Sequence, residues 1–132
     1  MPKATQLNVK LENKVGSLAR LCRDLANNGI NLLAISAPDT AAKRGLIRLL
    51  VVNPDLAQLK VAAVGYSFTV EEVLYVEIKN RPGSIAKAME KLARAGINVR
   101  YAYATAFRKA QKSAAVIAVA EEDVPKAHKL LG

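Results

Sequence analysis

The chain has 132 residues, 52% of them hydrophobic, and its 20 Lys and Arg outnumber 11 Asp and Glu to give a formal net charge of +9. That composition excludes an intrinsically disordered chain, the single cysteine excludes an intramolecular disulfide framework, and no apolar run reaches the ~18 residues of a membrane-spanning helix. The basic residues, among them Arg20, Arg23, Lys87, Lys91, Arg94, Arg108, Lys109 and Lys112, form no run of five or six, which reads as a solvated surface rather than a nucleic-acid stripe.

In chain order, Met1 to Gln6 leads into a strand instead of a signal-peptide core, so a cytoplasmic protein is expected. Leu7, Val9 and Leu11 alternate with Gln6, Asn8, Lys10 and Glu12, the period-two pattern of a strand with one buried face. A turn through Asn13, Val15 and Gly16 follows. Leu18, Leu21, Cys22 and Leu25 then recur at helical spacing, and Gly29 stands where a helix commonly ends in a left-handed residue. Ile30 to Ile35 reads as a second strand. A turn from Pro38 to Gly45 leads into the strand Leu46 to Val52, where only Arg48 interrupts the apolar run, so both faces of that strand are expected to be covered. Asn53-Pro54-Asp55 opens a second helix, and Phe68-Thr69-Val70 is a short closing strand.

The chain then repeats itself. Leu11 to Ala19 returns as Ile78 to Ala86 and Leu25 to Leu32 as Leu92 to Val99, both at an offset of 67 residues (Gly16 to Gly83, Asn31 to Asn98). A constant offset across strand, turn, helix and strand means two copies of one folding unit. Leu74, Val76 and Ile78 repeat the first strand, Pro82 is placed in the first turn of the helix carrying Ile85, Ala88, Met89 and Leu92, and Gly96 ends it. Ile97 to Ala102 and Ala114 to Val119 are the following strands, joined by a turn near Arg108 to Lys112, and Asp123-Val124-Pro125 opens the last helix. The expected architecture is α+β: tandem ferredoxin-like βαββαβ units, residues 1–71 and 72–132, packed side by side into one antiparallel sheet with helices on one face. The second unit lacks its closing strand. That gap would leave a strand unpaired along one side and, with the apolar Leu46 to Val52 strand, predicts a homodimer.

Chemistry-bearing constellations are sparse. Cys22 has Met89 as its twin, which favours a packed core thiol over a nucleophile. The lone His128 reads as a surface residue, and no carboxylate pair, phosphate loop or metal-ligand cluster stands out. No enzyme activity and no cofactor are expected.

The Asn-x-Pro-Gly-Ser turn of Asn80 to Ser84, its amphipathic helix and the following Ala-Gly-Ile-Asn-Val resemble the ACT domain, the amino-acid-sensing regulatory module of biosynthetic enzymes. Asn13 to Leu32 resembles it nearly as well, with Val15 in place of Pro. The resemblance covers essentially the whole chain and is narrower still to small stand-alone proteins of two ACT units. It implies a regulatory protein that binds a small amino acid at the interface between its units, with a regulated biosynthetic enzyme as partner. The implied ligand-binding residues are Asn13, Val15, Gly16, Asn31, Asn80, Pro82, Gly83 and Asn98. Leu11 and Ile78 occupy the place of a His in the serine-sensing members, which points to a more apolar pocket than serine needs.

The residues themselves agree with either of two readings. A helix N-terminus offers free N–H groups to a carboxylate, Gly16 and Gly83 admit close approach, and Asn can meet either end of a zwitterion. The same asparagines can instead stabilise their turns. An RNA-recognition platform shares the strand order, but Arg44-Gly45-Leu46-Ile47-Arg48-Leu49 carries aliphatic residues where bases would stack, so no specific nucleic acid and no membrane is expected as a partner. The alternative to a sensor is a non-catalytic interaction subunit without a ligand.

Overall fold

The computed structural model describes residues 3–38 and 43–132. The strands are β1 (Lys3–Glu12), β2 (Leu32–Ser36), β3 (Arg44–Val51), β4 (Phe68–Lys79), β5 (Val99–Thr105) and β6 (Lys112–Val119), and the helices α1 (Ser17–Asn27), α2 (Pro54–Val64), α3 (Ser84–Arg94) and α4 (Val124–Leu131). The expected turn at residues 39–42 lies outside the described residues.

The chain divides into two compact units, an N-terminal one of Thr5–Glu71 and a C-terminal one that combines Glu72–Gly132 with the opening residues of β1. In the N-terminal unit β3 lies between β2 and β1, antiparallel to both, with Leu7 opposite Leu49 and Leu32 opposite Val51. In the C-terminal unit β6 lies between β4 and β5, again antiparallel to both. β4 has neighbours on both sides, β6 and the opening residues of β1. This corrects the expectation of a strand left unpaired by a missing closing strand: the start of β1 belongs to the C-terminal unit and flanks β4. The short closing strand and the first strand of the second copy are one continuous β4.

Each unit packs both of its helices on one face of its strands. Leu21 and Leu25 of α1 and Ala57 and Val61 of α2 bury against Leu7, Val9, Leu11, Ile47, Leu49 and Val51. Leu92 of α3 and Val124 and Ala127 of α4 bury against Leu74, Val76, Ala115, Ile117 and Val119. Each fully buried leucine contributes about 1.5–3 kcal/mol by leaving water. Met89 packs against this second core while Cys22 is a free, half-buried thiol, in keeping with a packed side chain. His128 is half-buried rather than a plain surface residue, with Nε2 enclosed.

Helix boundaries follow local chemistry. Gly16 and Gly83 adopt φ of 88° and 90°, left-handed values that keep them out of the helices they precede. No side chain caps either helix. Pro82 therefore sits in the turn before α3, not in its first turn, because Gly83 intervenes. Asn53 caps α2 by accepting from the Leu56 N–H at 3.2 Å, as its position before Pro54 predicts. Asp123 makes no such cap: residues Glu121–Asp123 form a 3-10 turn that leads straight into α4.

The polar alternates of β1 depart most from their sequence pattern. Gln6 and Asn8, expected on a solvent face, are 0% and 7% exposed. Their amides are satisfied internally: Gln6 Nε2 donates to Asn8 Oδ1 at 2.7 Å, and Asn8 Nδ2 donates to Glu71 Oε1 at 3.0 Å, with Gln6 Nε2 at 3.4 Å from the same oxygen. Leu50 and Val73 are closed to solvent as well. One chain thus suffices to cover Leu50, whereas Leu46 and Val52 at the ends of the same run stay exposed. No helix among the described residues is long and apolar enough to cross a membrane.

Two outcomes are expected from these contacts. Replacing Glu71 by Ala removes the acceptor of the buried Asn8 amide, and urea denaturation should show a loss of about 1–3 kcal/mol; an unchanged midpoint would show that water replaces the carboxylate freely. Tyr66, just after α2, donates its hydroxyl to Asp24 Oδ2 of α1 at 2.6 Å. Partial burial first, then this bond to Asp24, pushes its pKa up to about 12. Its ordinary value is 10.0, so the stability it contributes is fully present below pH 10 and is lost as pH rises through the folded value. Phenolate absorbance should show a late phase near pH 12 that disappears in Tyr66→Phe.

Candidate functional site

The turn between β1 and α1 is built by its glycine. With Gly16 left-handed, the Ser17 N–H bonds the Lys14 carbonyl at 3.2 Å and the Arg20 N–H bonds the Gly16 carbonyl at 2.9 Å. The N–H groups of Leu18 and Ala19 between them have no backbone acceptor among the described residues. No acidic residue occupies the first turn of α1. Uncompensated N–H groups and the positive end of the helix dipole therefore stand open at this point.

A cleft of about 470 Å³ opens beside that helix start. Its walls are the end of β1, the turn from Lys14 to Ser17, Arg20 and Asp24 along α1, Arg44 at the start of β3, and Val64 at the end of α2 with Gly65 to Ser67 after it, all within the N-terminal unit. Gly16, Arg20 and Asp24 recur every four residues and so share one face of the helix. Both acids of the cleft are engaged: Lys14 Nζ lies 3.0 Å from Glu12 Oε2, and the Tyr66 hydroxyl holds Asp24. The hydrogen bond and charge of Lys14, reinforced by Arg44, hold the Glu12 carboxyl below the usual carboxylate range. Both carboxylates retain an oxygen that can accept from an ammonium group.

The residues singled out from the sequence are not gathered in one place. Val15 and Gly16 line the large cleft; Val15 is fully exposed. Asn13 is exposed beside it, its N–H bonded to the Lys43 carbonyl at 2.7 Å. Asn31 is exposed at the other end of the unit, its carbonyl accepting from the Val52 N–H at 3.1 Å. Lys43 and Val52 bracket β3, and at 3.3–3.4 Å per residue they stand about 30 Å apart. Asn13 and Asn31 of one unit therefore cannot hold the same small ligand. Asn80 and Asn98 are separated in the same way, Asn80 beside Gln111 and Asn98 preceding Val99, which pairs with Val119.

Asn80 has a structural task. Its Nδ2 donates to the carbonyls of Phe107 and Ala110 at 3.1 and 2.8 Å, closing the turn between β5 and β6. A smaller cavity of about 160 Å³ lies beside it, lined by Arg81, Ser84 and Thr105 among others. Pro82, Gly83 and Asn98 are exposed and do not line it. Sequence reasoning missed Arg20, Asp24 and Tyr66. The i, i+4 spacing of Arg20 and Asp24 was visible, but the approach of Tyr66 across 42 residues has no local signal. Among the described residues no three His, Cys, Asp or Glu side chains cluster to hold a metal ion.

Comparison with known proteins bears on the fold. A family model described as an ACT domain pair matches residues 3–128. A solved protein from Bacteroides thetaiotaomicron is 29% identical with a TM-score of 0.86, over 98% of this chain and 86% of that one. The ligand-free regulatory subunit of aspartate kinase from Thermus thermophilus is similar at 18% identity and a TM-score of 0.66, over 98% of this chain and 90% of that one. The regulatory subunit of aspartate kinase from Thermus flavus gives 19% and 0.61, over 99% and 95%. At such identities the last two show a shared fold. No curated protein matches. Two copies of one strand-turn-helix unit, in the expected strand order and matched over almost the full length, make this chain a member of the ACT domain pair family.

Proposed function

We propose that the protein is a regulatory module that binds a small amino acid in the cleft of its N-terminal unit. The observation that carries this reading is the coincidence of a ligand-sized concavity with the open N–H groups at the start of α1. Clefts of 300–1,000 Å³ are the usual size for small-molecule sites. An α-carboxylate at Val15 to Ser17 meets the Leu18 and Ala19 N–H groups and the helix dipole, and the adjacent ammonium group meets the carboxylate of Glu12. Membership in the ACT domain pair family and the likeness to two regulatory subunits support a regulatory rather than a catalytic role. A biosynthetic enzyme as the regulated partner and a homodimer as the working form belong to the same proposal. The alternative, an interaction subunit without a ligand, predicts that no amino acid stabilises the fold.

A thermal-shift screen of the common amino acids decides between them, since a ligand at 100 times its Kd adds about 2.7 kcal/mol. No shift with any amino acid would leave the interaction subunit as the better reading. Two variants should then behave in opposite ways. Val15→Asp places a carboxylate at the exposed start of α1, which should keep or raise stability by about 0.3–1 kcal/mol while weakening amino-acid binding about tenfold, or 1.4 kcal/mol. Asn80→Ala should lose about 1 kcal/mol of stability through its two turn hydrogen bonds and leave affinity unchanged. Calorimetry and urea denaturation on both read out the crossing. An affinity loss in Asn80→Ala with none in Val15→Asp would move the site to the second turn.

A further inference from the structure

The charge of the cleft exceeds what a neutral amino acid would balance. Four cations line it, Lys10, Lys14, Arg20 and Arg44, against two carboxylates, Glu12 and Asp24. Each carboxylate already has an internal partner: Lys14 at 3.0 Å for Glu12, and the Tyr66 hydroxyl at 2.6 Å for Asp24. Arg44 stands opposite Glu12 across the β1–β3 ladder and shares that charge. Arg20 and Lys10 remain without an ion-pair partner among the described residues. Arg20 lies one turn below Gly16 on the face of α1 that lines the cleft, and its neighbour along that face, Asp24, is held by Tyr66 instead.

A zwitterion with a neutral side chain uses the helix start and Glu12 and offers nothing to these cations. We infer that the cleft selects a dicarboxylic amino acid, the α-carboxylate at the start of α1 and the side-chain carboxylate between Arg20 and Lys10. Arg20 supplies a planar fork suited to two carboxylate oxygens, and Lys10 adds a compact charge. A ligand of net charge −1 then lowers the excess of two positive charges, where a neutral one leaves it intact. The second copy cannot share this preference. At the same offset Lys10, Glu12 and Asp24 are replaced by Glu77, Lys79 and Lys91, and the cavity there is about a third as large. The inference rests on the amino-acid reading above and adds the class of side chain.

Isothermal titration of the full chain with L-aspartate, L-glutamate, L-asparagine, L-glutamine and succinate tests it. One of the two acids should bind at least about tenfold tighter than its own amide, and succinate, which lacks the ammonium group, should bind more weakly than either acid. Arg20→Gln should reduce affinity for the acid about tenfold and change that for the amide less than about twofold; Lys10→Gln, on a strand instead of a helix, should do the same to a smaller extent. An amide that binds as tightly as its acid overturns the charge selection while leaving amino-acid binding intact. Heat from neutral amino acids alone does likewise. No heat from any of the amino acids overturns both readings together, and equal binding of succinate and aspartate removes the ammonium from the recognition.

Discussion

The left-handed glycine between strand and helix is the constraint on which the candidate site depends. A residue at φ near 90° cannot continue into a right-handed helix, so α1 and α3 begin abruptly one residue after Gly16 and Gly83. Neither glycine is crowded, since an added Cβ would meet no atom within 4 Å; the requirement is conformational, not steric. A glycine cap brings no side-chain acceptor, so the N–H groups of the first turn are left for water or a ligand. A serine or aspartate at the same place would have closed them. The same backbone choice, made twice, gives each unit an open helix end.

What distinguishes the two ends is the surroundings, and those come from farther along the chain. In the N-terminal unit the segment after α2 returns past α1, and Tyr66 fastens to Asp24 as it does so. That bond forms one wall of the cleft and gives Asp24 a partner on the segment that follows α2. In the C-terminal unit the corresponding position on α3 is Lys91, which offers no acceptor, and Asn80 spends both of its amide hydrogens on the neighbouring turn. Duplication supplied two equivalent helix starts, and a few substitutions made one a charged cleft and the other a braced turn.

Strands, helices and their order were legible in the sequence because each rests on local periodicity and on glycines at fixed offsets. Pro82 shows the limit of that reasoning: proline favours the first helical turn, but the glycine beside it set the boundary. Gln6 and Asn8 show another. Alternation predicts which residues share a face, but it cannot say that the second face is also closed, and Glu71 reaches their amides across 63 and 65 residues. The four asparagines show a third. The repeat sets them at matching positions, but only the register of β3 and β6 reveals that the pair within each unit spans the length of a strand.

The charges of the cleft also differ in kind from its N–H groups. Lys10, Arg20 and Arg44 are exposed, so water and salt screen them over a Debye length of about 8 Å at physiological ionic strength. Such groups add little to the stability of the fold and act mainly by discriminating among ligands and steering their approach. The helix N–H groups are few, fixed in direction and indifferent to the side chain of the ligand. Affinity for the shared backbone of an amino acid and selectivity for its side chain therefore fall to different parts of the same wall, the first set by the conformation of Gly16 and the second by residues that can change without disturbing the turn.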